Sequence, residues 1–145
     1  MNADLSVAPE IAQLADPFIP VRPGVAALRT DGRIAGDLAD LAATPERWWD
    51  LVRFDSGAPV RIPLPEVPGT WLLVLPPGTA TDCDCVQATA LAGEAVETKN
   101  QGETPGGTAP PSPLRTGRVR VHGTRTPHHV HAVGPGYSVT LHWSI

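Results

Sequence analysis

Two cysteines and five histidines are the residues of this chain best suited to bind a metal ion or to move a proton. The two thiols, Cys83 and Cys85, alternate with the carboxylates of Asp82 and Asp84. Side chains two residues apart on a β-strand share a face, so either pair could offer two ligands to one ion. The alternative interpretation is a pair of small buried thiols that binds no metal.

The histidines are concentrated near the end of the chain, between residues 122 and 142. His128, His129 and His131 fall on a predicted strand, where His129 and His131 share one face and His128 takes the other. This concentration predicts a metal or proton-transfer site, and a solvated loop that contains histidines by chance is the alternative. The full set is His122, His128, His129, His131 and His142.

The elements that must position these residues are short strands. Residues 71–75 form a continuous apolar run that ends at a Pro-Pro-Gly turn, which favours a buried strand. The proline within residues 60–64 favours an edge strand. Further strands are predicted at 86–96 with a turn at Gly93, at 118–122 and at 137–143. In the last of these, the alternate polar residues could line a pocket if the sheet closes into a small barrel. These polar residues are Ser138, Thr140, His142 and Ser144.

Helical patterning is confined to residues 1–56. We predict short helices at residues 5–16 and 36–41, and a third helix that Thr44 caps and Pro45 begins. We therefore expect one domain, in which a helical segment (1–56) packs on a barrel (57–145). A Gly- and Pro-rich stretch at residues 99–113 is predicted to be a flexible loop within the barrel.

Composition narrows the class of protein. A length of 145 residues indicates a single domain, and 14 glycines with 17 prolines favour many turns over long helices. The net charge of -4 argues against nucleic acid as a partner. No apolar run is long enough to span a bilayer, and the N-terminus lacks the pattern of a signal peptide, so we expect no membrane partner and a cytoplasmic location. The richness in Ala, Pro and Arg favours a bacterial source.

Taken in order, several segments resemble the thiol (cysteine) dioxygenase family of the cupin superfamily. Residues 71–85, WLLVLPPGTATDCDC, share the family's layout of an apolar strand, a Pro-Gly turn and a His-Asp-His ligand pair, with Cys-Asp-Cys in its place. LAGEAVE, at residues 91–97, is similar to the following strand of the family. The stretch from His128 through Gly134-Pro135-Gly136 to His142 aligns without a gap. The resemblance covers roughly residues 60–145.

The resemblance implies a mostly β fold, a single cupin-type double-stranded β-helix (jelly-roll barrel) with short N-terminal helices. It also implies one Fe(II) ion, held in the family by three imidazoles, that oxidises a small thiol to a sulfinate. Carried over, the metal ligands are Cys83, Cys85 and His128. Arg61, or alternatively Arg53, would bind a substrate carboxylate. His142, oriented by Thr140, would move or position a proton, and Ser144 stands where the family has a tyrosine.

The donor types leave several functions open. Thiolates favour Zn(II) over Fe(II), and a Cys2His set matches a catalytic zinc arrangement. Counting strictly from Gly78 would place Asp84 rather than Cys83 at the first ligand position. The sequence thus predicts a diverged thiol dioxygenase-like cupin that acts on a small thiol or carboxylate. The alternatives are a non-catalytic binding or regulatory cupin without a cofactor, and a zinc-binding cupin.

Overall fold

The computed structural model of the chain describes residues 30–99, 110–122 and 127–144, and their strands form two antiparallel sheets. The predicted helix at residues 5–16 lies outside these ranges. The described strands are β1 (Val60–Pro63), β2 (Thr70–Leu75), β3 (Ala80–Cys83), β4 (Gln87–Ala92), β5 (Ala95–Lys99), β6 (Ser112–Leu114), β7 (Arg120–Val121), β8 (His128–Ala132) and β9 (Ser138–Trp143). One α-helix, α1 (Asp31–Ala42), precedes them.

The chain passes back and forth between the two sheets. The first sheet has the strand order β1-β2-β9-β4-β7, and the second has the order β3-β8-β5-β6. From β2 to β5 and again from β6 to β9, each successive strand lies in the opposite sheet. This alternation is the winding of a jelly roll. The predicted fold class, a mostly β double-stranded β-helix, is confirmed.

The central strand β2 is buried on both faces, as its apolar run predicted. Leu72 and Val74 pack in the cluster that contains the helix, whereas Trp71, Leu73 and Leu75 pack in the barrel interior with both cysteines. Among the described strands, β1 pairs with β2 alone and is an edge strand, as predicted from its proline. β2 thus separates two cores, and its inner face forms one wall of the site described below.

The helix α1 closes the outer face of the first sheet. The backbone N–H of Arg33 donates a hydrogen bond of 3.3 Å to the Thr30 hydroxyl, which caps the helix. Ile34, Leu38 and Leu41 recur at helical spacing and are at most 1% exposed, because they pack against the sheet. The predicted helix at residues 36–41 is confirmed within this longer element.

Several predicted boundaries were wrong. The third helix is replaced by two short 3-10 turns, Pro45–Arg47 and Trp49–Leu51. The Thr44 hydroxyl accepts no hydrogen bond from the first turn and instead donates to the Asp40 carbonyl of α1. The predicted loop at 99–113 loses residues at both ends to β5 and β6, and its middle, residues 100–109, lies outside the described residues. The strand at 118–122 shrinks to β7. The division at residue 56 stays a prediction.

Candidate metal site

The pairing of β3 with β8 brings the cysteine and histidine segments together. Cys83 lies opposite His128 in the register, and both side chains are buried on the inner face of the second sheet. His129 and His131 point the other way and are only half-buried, as the alternation predicted. His129 contacts the exposed Asp82 carboxylate at 2.5 Å. Of the three neighbouring histidines, the structure therefore directs only His128 into the barrel.

A first group of donor atoms, which we call the thiol site, consists of Cys83, Cys85 and His142. The Nδ1 atom of His142 lies 3.4 Å from the Cys83 sulfur and 3.2 Å from the Cys85 sulfur. All three donor atoms lie within 4.8 Å of one another, and all three residues are buried. The sequence assigned His142 to proton transfer, but its ring nitrogen faces both sulfurs and is placed to act as a metal ligand.

The orientation of the His142 ring is fixed by two neighbours. Its Nε2 atom lies 2.7 Å from the Thr140 hydroxyl, whose oxygen is 3.5 Å from the Leu73 carbonyl. A hydroxyl that donates to this carbonyl accepts from Nε2–H, which leaves the Nδ1 lone pair directed at the sulfurs. The Trp71 indole stacks on the imidazole at 5.6 Å between centroids and 14° between planes. The predicted contact between Thr140 and His142 is therefore present.

A second group of donor atoms, which we call the carboxylate site, consists of Glu97, His122 and His128, with Cys85 beside it. The Glu97 carboxylate lies 3.2 Å from His122 Nε2 and 3.6 Å from His128 Nε2. His128 Nε2 is also 3.3 Å from the Cys85 sulfur. The side chains of the three residues are at most 1% exposed. Two separate donor groups thus meet at Cys85.

Neither Glu97 nor His122 was among the predicted ligands, although His122 belongs to the histidine cluster of the sequence. Glu97 shares a face of β5 with the buried Ala95, and His122 follows the alternating segment that contains β7. In an open sheet, polar residues that alternate with apolar ones face outward. The structure reverses this near β7, where Val121 is 46% exposed and the His122 side chain is 1% exposed.

The electrostatics of the two sites follow from burial and close contact. Burial by itself would raise the pKa of Glu97, but the hydrogen bond from His122 and the nearby imidazoles lower that pKa overall. A hydrogen bond from the Cys85 thiol lowers the pKa of Cys83 against the opposing effect of burial. The same hydrogen bond, together with burial, raises the pKa of Cys85. The two pKa values shift in opposite directions because the thiols interact directly, so Cys83 is the thiol favoured to ionise.

The predicted substrate arginine does not reach the thiol site directly. The Arg61 guanidinium lies 3.8 Å from the centroid of the Trp71 ring, whose other neighbour is His142. Arg61 lines a cavity of about 590 Å³ together with the exposed Asp84 and with Ser144. The alternative, Arg53, donates to the backbone carbonyls of Asp50 and Val52. Asp84, the alternative ligand, belongs to neither donor group among the described residues.

The thiol site opens toward a second cavity. This cavity has a volume of about 320 Å³ and is lined by Asp82, Cys83, Asp84, Pro127, His128 and His129. Cys83 and His128 contribute to its wall, so a small molecule could approach the buried donors from this side. The helix α1 has 12 residues, fewer than the about 20 that span a bilayer, and none of the described helices is long and apolar enough for that purpose.

The types and separations of the donor atoms indicate which metal ion the barrel interior could bind. Two thiolates and one imidazole form a Cys2His set, which fits Zn(II) in ligand type, and tetrahedral bond lengths place sulfur and nitrogen ligands about 3.6 Å apart. The observed separations of 3.2 and 3.4 Å are close to that value. The three-imidazole Fe(II) site implied by the family resemblance does not fit, because two of its positions hold cysteines.

No protein-family model and no curated protein matches this sequence. Among solved structures, a protein from Thermus thermophilus is 18% identical with a TM-score of 0.49, and the match covers 66% of this chain and 91% of that chain. A cupin superfamily protein from Desulfitobacterium hafniense is 13% identical with a TM-score of 0.49, with coverages of 68% and 89%.

A protein with a double-stranded β-helix domain from Klebsiella pneumoniae is 19% identical with a TM-score of 0.48, and the match covers 64% of this chain and 81% of that chain. None of these three descriptions names a thiol dioxygenase. Likeness at such low identity concerns the fold and says nothing of activity. By its own strand order, the chain is a jelly-roll barrel with residue groups that could hold a metal ion.

Proposed function

We propose that this protein binds one divalent metal ion, Zn(II) by preference, at the thiol site through Cys83, Cys85 and His142. The observation that carries the proposal is the convergence of two buried sulfurs and one oriented imidazole nitrogen within 4.8 Å. Soft thiolate ligands select zinc among the abundant divalent ions. Thr140 supports this role, because a metal-ligating histidine normally donates its second N–H to a fixed acceptor.

A ligand could reach an ion held by the thiol site from the 320 Å³ cavity, because Cys83 lies in the cavity wall. Three protein ligands and one open position are typical of catalytic rather than structural zinc. An ion in such a site acts as a Lewis acid toward a ligand that enters from the cavity. We propose that this ligand is a small thiol or carboxylate, which a cavity of this size admits.

Metal analysis of the chain, purified without a histidine tag, tests the proposal. We expect at least one equivalent of bound zinc per chain, and a loss of one equivalent in His142→Ala. The matched control is His131→Ala, because His131 lies on the outer face of β8 and should leave the metal content unchanged. A folded wild-type protein that takes up no metal from added Zn(II) would contradict the proposal and favour the non-catalytic cupin.

Oxidation of a small thiol to a sulfinate at an iron centre is the second candidate function. It would require an iron ion held by ligands other than the family's three imidazoles, and the observation that favours it is His128, which this chain retains from that set and which lies 3.3 Å from Cys85. The assay is oxygen uptake by protein loaded with Fe(II), with cysteine or 3-mercaptopropionate as substrate. Uptake above that of His128→Ala would support this candidate, and equal rates would leave zinc binding as the function.

A further inference from the structure

We propose that the barrel holds a second divalent transition-metal ion at the carboxylate site, with Cys85 as a bridging ligand between the two ions. Glu97, His122 and His128 would bind this ion together with the Cys85 sulfur. All four donor atoms lie within 4.8 Å of one another, as the donors of the thiol site do. The bridging role of Cys85 rests on the proposed function, whereas the second ion itself does not.

The separations between the donors fit ligands of a shared ion. Nitrogen and oxygen ligands of one tetrahedral ion, each about 2.0–2.2 Å from the metal, lie about 3.3–3.6 Å apart. One oxygen of Glu97, Oε1, lies 3.4 Å from His122 Nε2 and 3.6 Å from His128 Nε2, which matches this range. The other oxygen, Oε2, lies 3.2 Å from His122 Nε2.

The buried negative charge of Glu97 also favours a cation beside it. Its carboxylate is 1% exposed, and a buried carboxylate needs a charged or metal partner. Arg120 approaches no closer than 3.5 Å, and the same guanidinium donates to the backbone carbonyls of Ser112 and Pro113 at 3.4 and 3.0 Å. The other described partners are the imidazoles of His122 and His128, and a metal ion bound by these imidazoles would lie against the same carboxylate and balance its charge.

The donor types of the second site differ from those of the first. Two imidazoles and one carboxylate form the set that non-haem Fe(II) proteins use, so this site suits a divalent first-row ion with nitrogen and oxygen preferences. The Cys85 sulfur lies 3.2 Å from His142 Nδ1 in the thiol site and 3.3 Å from His128 Nε2 in the carboxylate site. Cys85 is therefore the one donor that both groups contain.

Titration of the metal-free full-length chain with Co(II), under reducing and oxygen-free conditions, tests the proposal. Sulfur-to-cobalt absorption reports the thiol site, and bound Co(II) is counted after gel filtration. We expect two equivalents in the wild type and one in Glu97→Gln, with the sulfur absorption retained. The matched control is Glu94→Gln, an exposed residue in the turn between β4 and β5, which should still bind two equivalents.

Magnetic measurements test the bridge. Two cobalt ions that share the Cys85 sulfur would couple, so the paramagnetic resonance signal of the first ion should weaken as the second one binds. The uncoupled signal should persist in Glu97→Gln. If that variant does not fold, His122→Ala should give the same loss of one ion.

Each remaining outcome decides between the two sites. A wild type that binds one ion, with the same single ion in Glu97→Gln, overturns the second site and leaves the proposed function standing. Two ions in Glu97→Gln would show that the second ion binds elsewhere. A wild type that binds one ion and loses it in Glu97→Gln but keeps it in His142→Ala would refute the proposed function and retain the carboxylate site.

Discussion

Replacing Thr140 by valine should weaken metal binding at the thiol site without changing any ligand. Valine keeps the shape of threonine and removes the hydroxyl that lies 2.7 Å from His142 Nε2. Thr140 and His142 are both fully buried, so no water replaces the hydroxyl as the acceptor for Nε2–H. The imidazole would then hold its orientation only through its stacking contact with Trp71.

The size of the effect follows from the role of the hydroxyl. Removal of such an outer partner of a metal-bound histidine costs about 10-fold to 100-fold in metal affinity, or about 1.4 to 2.7 kcal/mol. We expect a loss in the upper half of this range, because the barrel interior offers Nε2–H no other acceptor within the described contacts. Replacement of the acceptor by a methyl group also leaves a buried donor unsatisfied, which lowers the stability of the metal-free protein.

Competition with a chromophoric zinc chelator measures the affinity of each variant. The matched control is Thr98→Val, which removes a similar contact of 3.0 Å between a threonine hydroxyl and His131 Nε2, near the outer face of the second sheet. Its zinc affinity should stay within about twofold of the wild type. Equal losses in the two variants would attribute the effect to general destabilisation, and an unchanged affinity in Thr140→Val would refute the placement of His142 as a ligand.

Three further outcomes are expected for the metal-free protein. The folded-state pKa of Glu97 lies below the ordinary value of 4.5, so the ionised carboxylate stabilises the fold above that pH, and this contribution is lost as the pH falls toward the lowered pKa. Urea unfolding from about pH 6 to pH 3 should therefore show a smaller loss of stability in Glu97→Gln than in the wild type. Gly93→Ala would place a Cβ atom 2.2 Å from the Tyr137 carbonyl at a φ of +72°, and should lower the free energy of unfolding by about 3 kcal/mol or more. Gly78→Ala, at a φ of +73° with open space around the new Cβ atom, should lower it by about 1 kcal/mol in the same urea measurement. Leu38→Ala should cost about 3 kcal/mol in urea and expose α1 to protease, and an unchanged unfolding midpoint would contradict the packing of the helix on the sheet.

The strands and the order of the chemical residues could be predicted from local patterns. The apolar run at residues 71–75 has no polar face, so it predicted a strand buried on both sides, and β2 is buried throughout. The prediction of a helix after Thr44 was wrong, since the Thr44 hydroxyl turns back to donate to the Asp40 carbonyl and only two short turns follow. A capping hydroxyl must accept from an N–H of the helix that follows, and the local sequence does not show that the hydroxyl also lies within reach of the preceding helix.

The partners within the site were harder to predict. The alternation of β9 showed that Thr140 and His142 share a face, but it could not tell whether that face meets water or the barrel interior. Closure of the first sheet over the second one decided this. The same closure buried Glu97 and brought it to His122, from a strand 25 residues away in the chain.

The sequence by itself determined which residues lie on strands and which side chains share a face, because these properties depend on neighbours along the chain. Cys83 and Cys85 were recognisable as a pair, and so were His129 and His131. Only the tertiary structure decided which groups meet, because β3 pairs with β8 in one sheet while β9 lies in the other sheet and faces them across the barrel interior. The choice of His142 as the imidazole between the two sulfurs is therefore a property of the closed barrel.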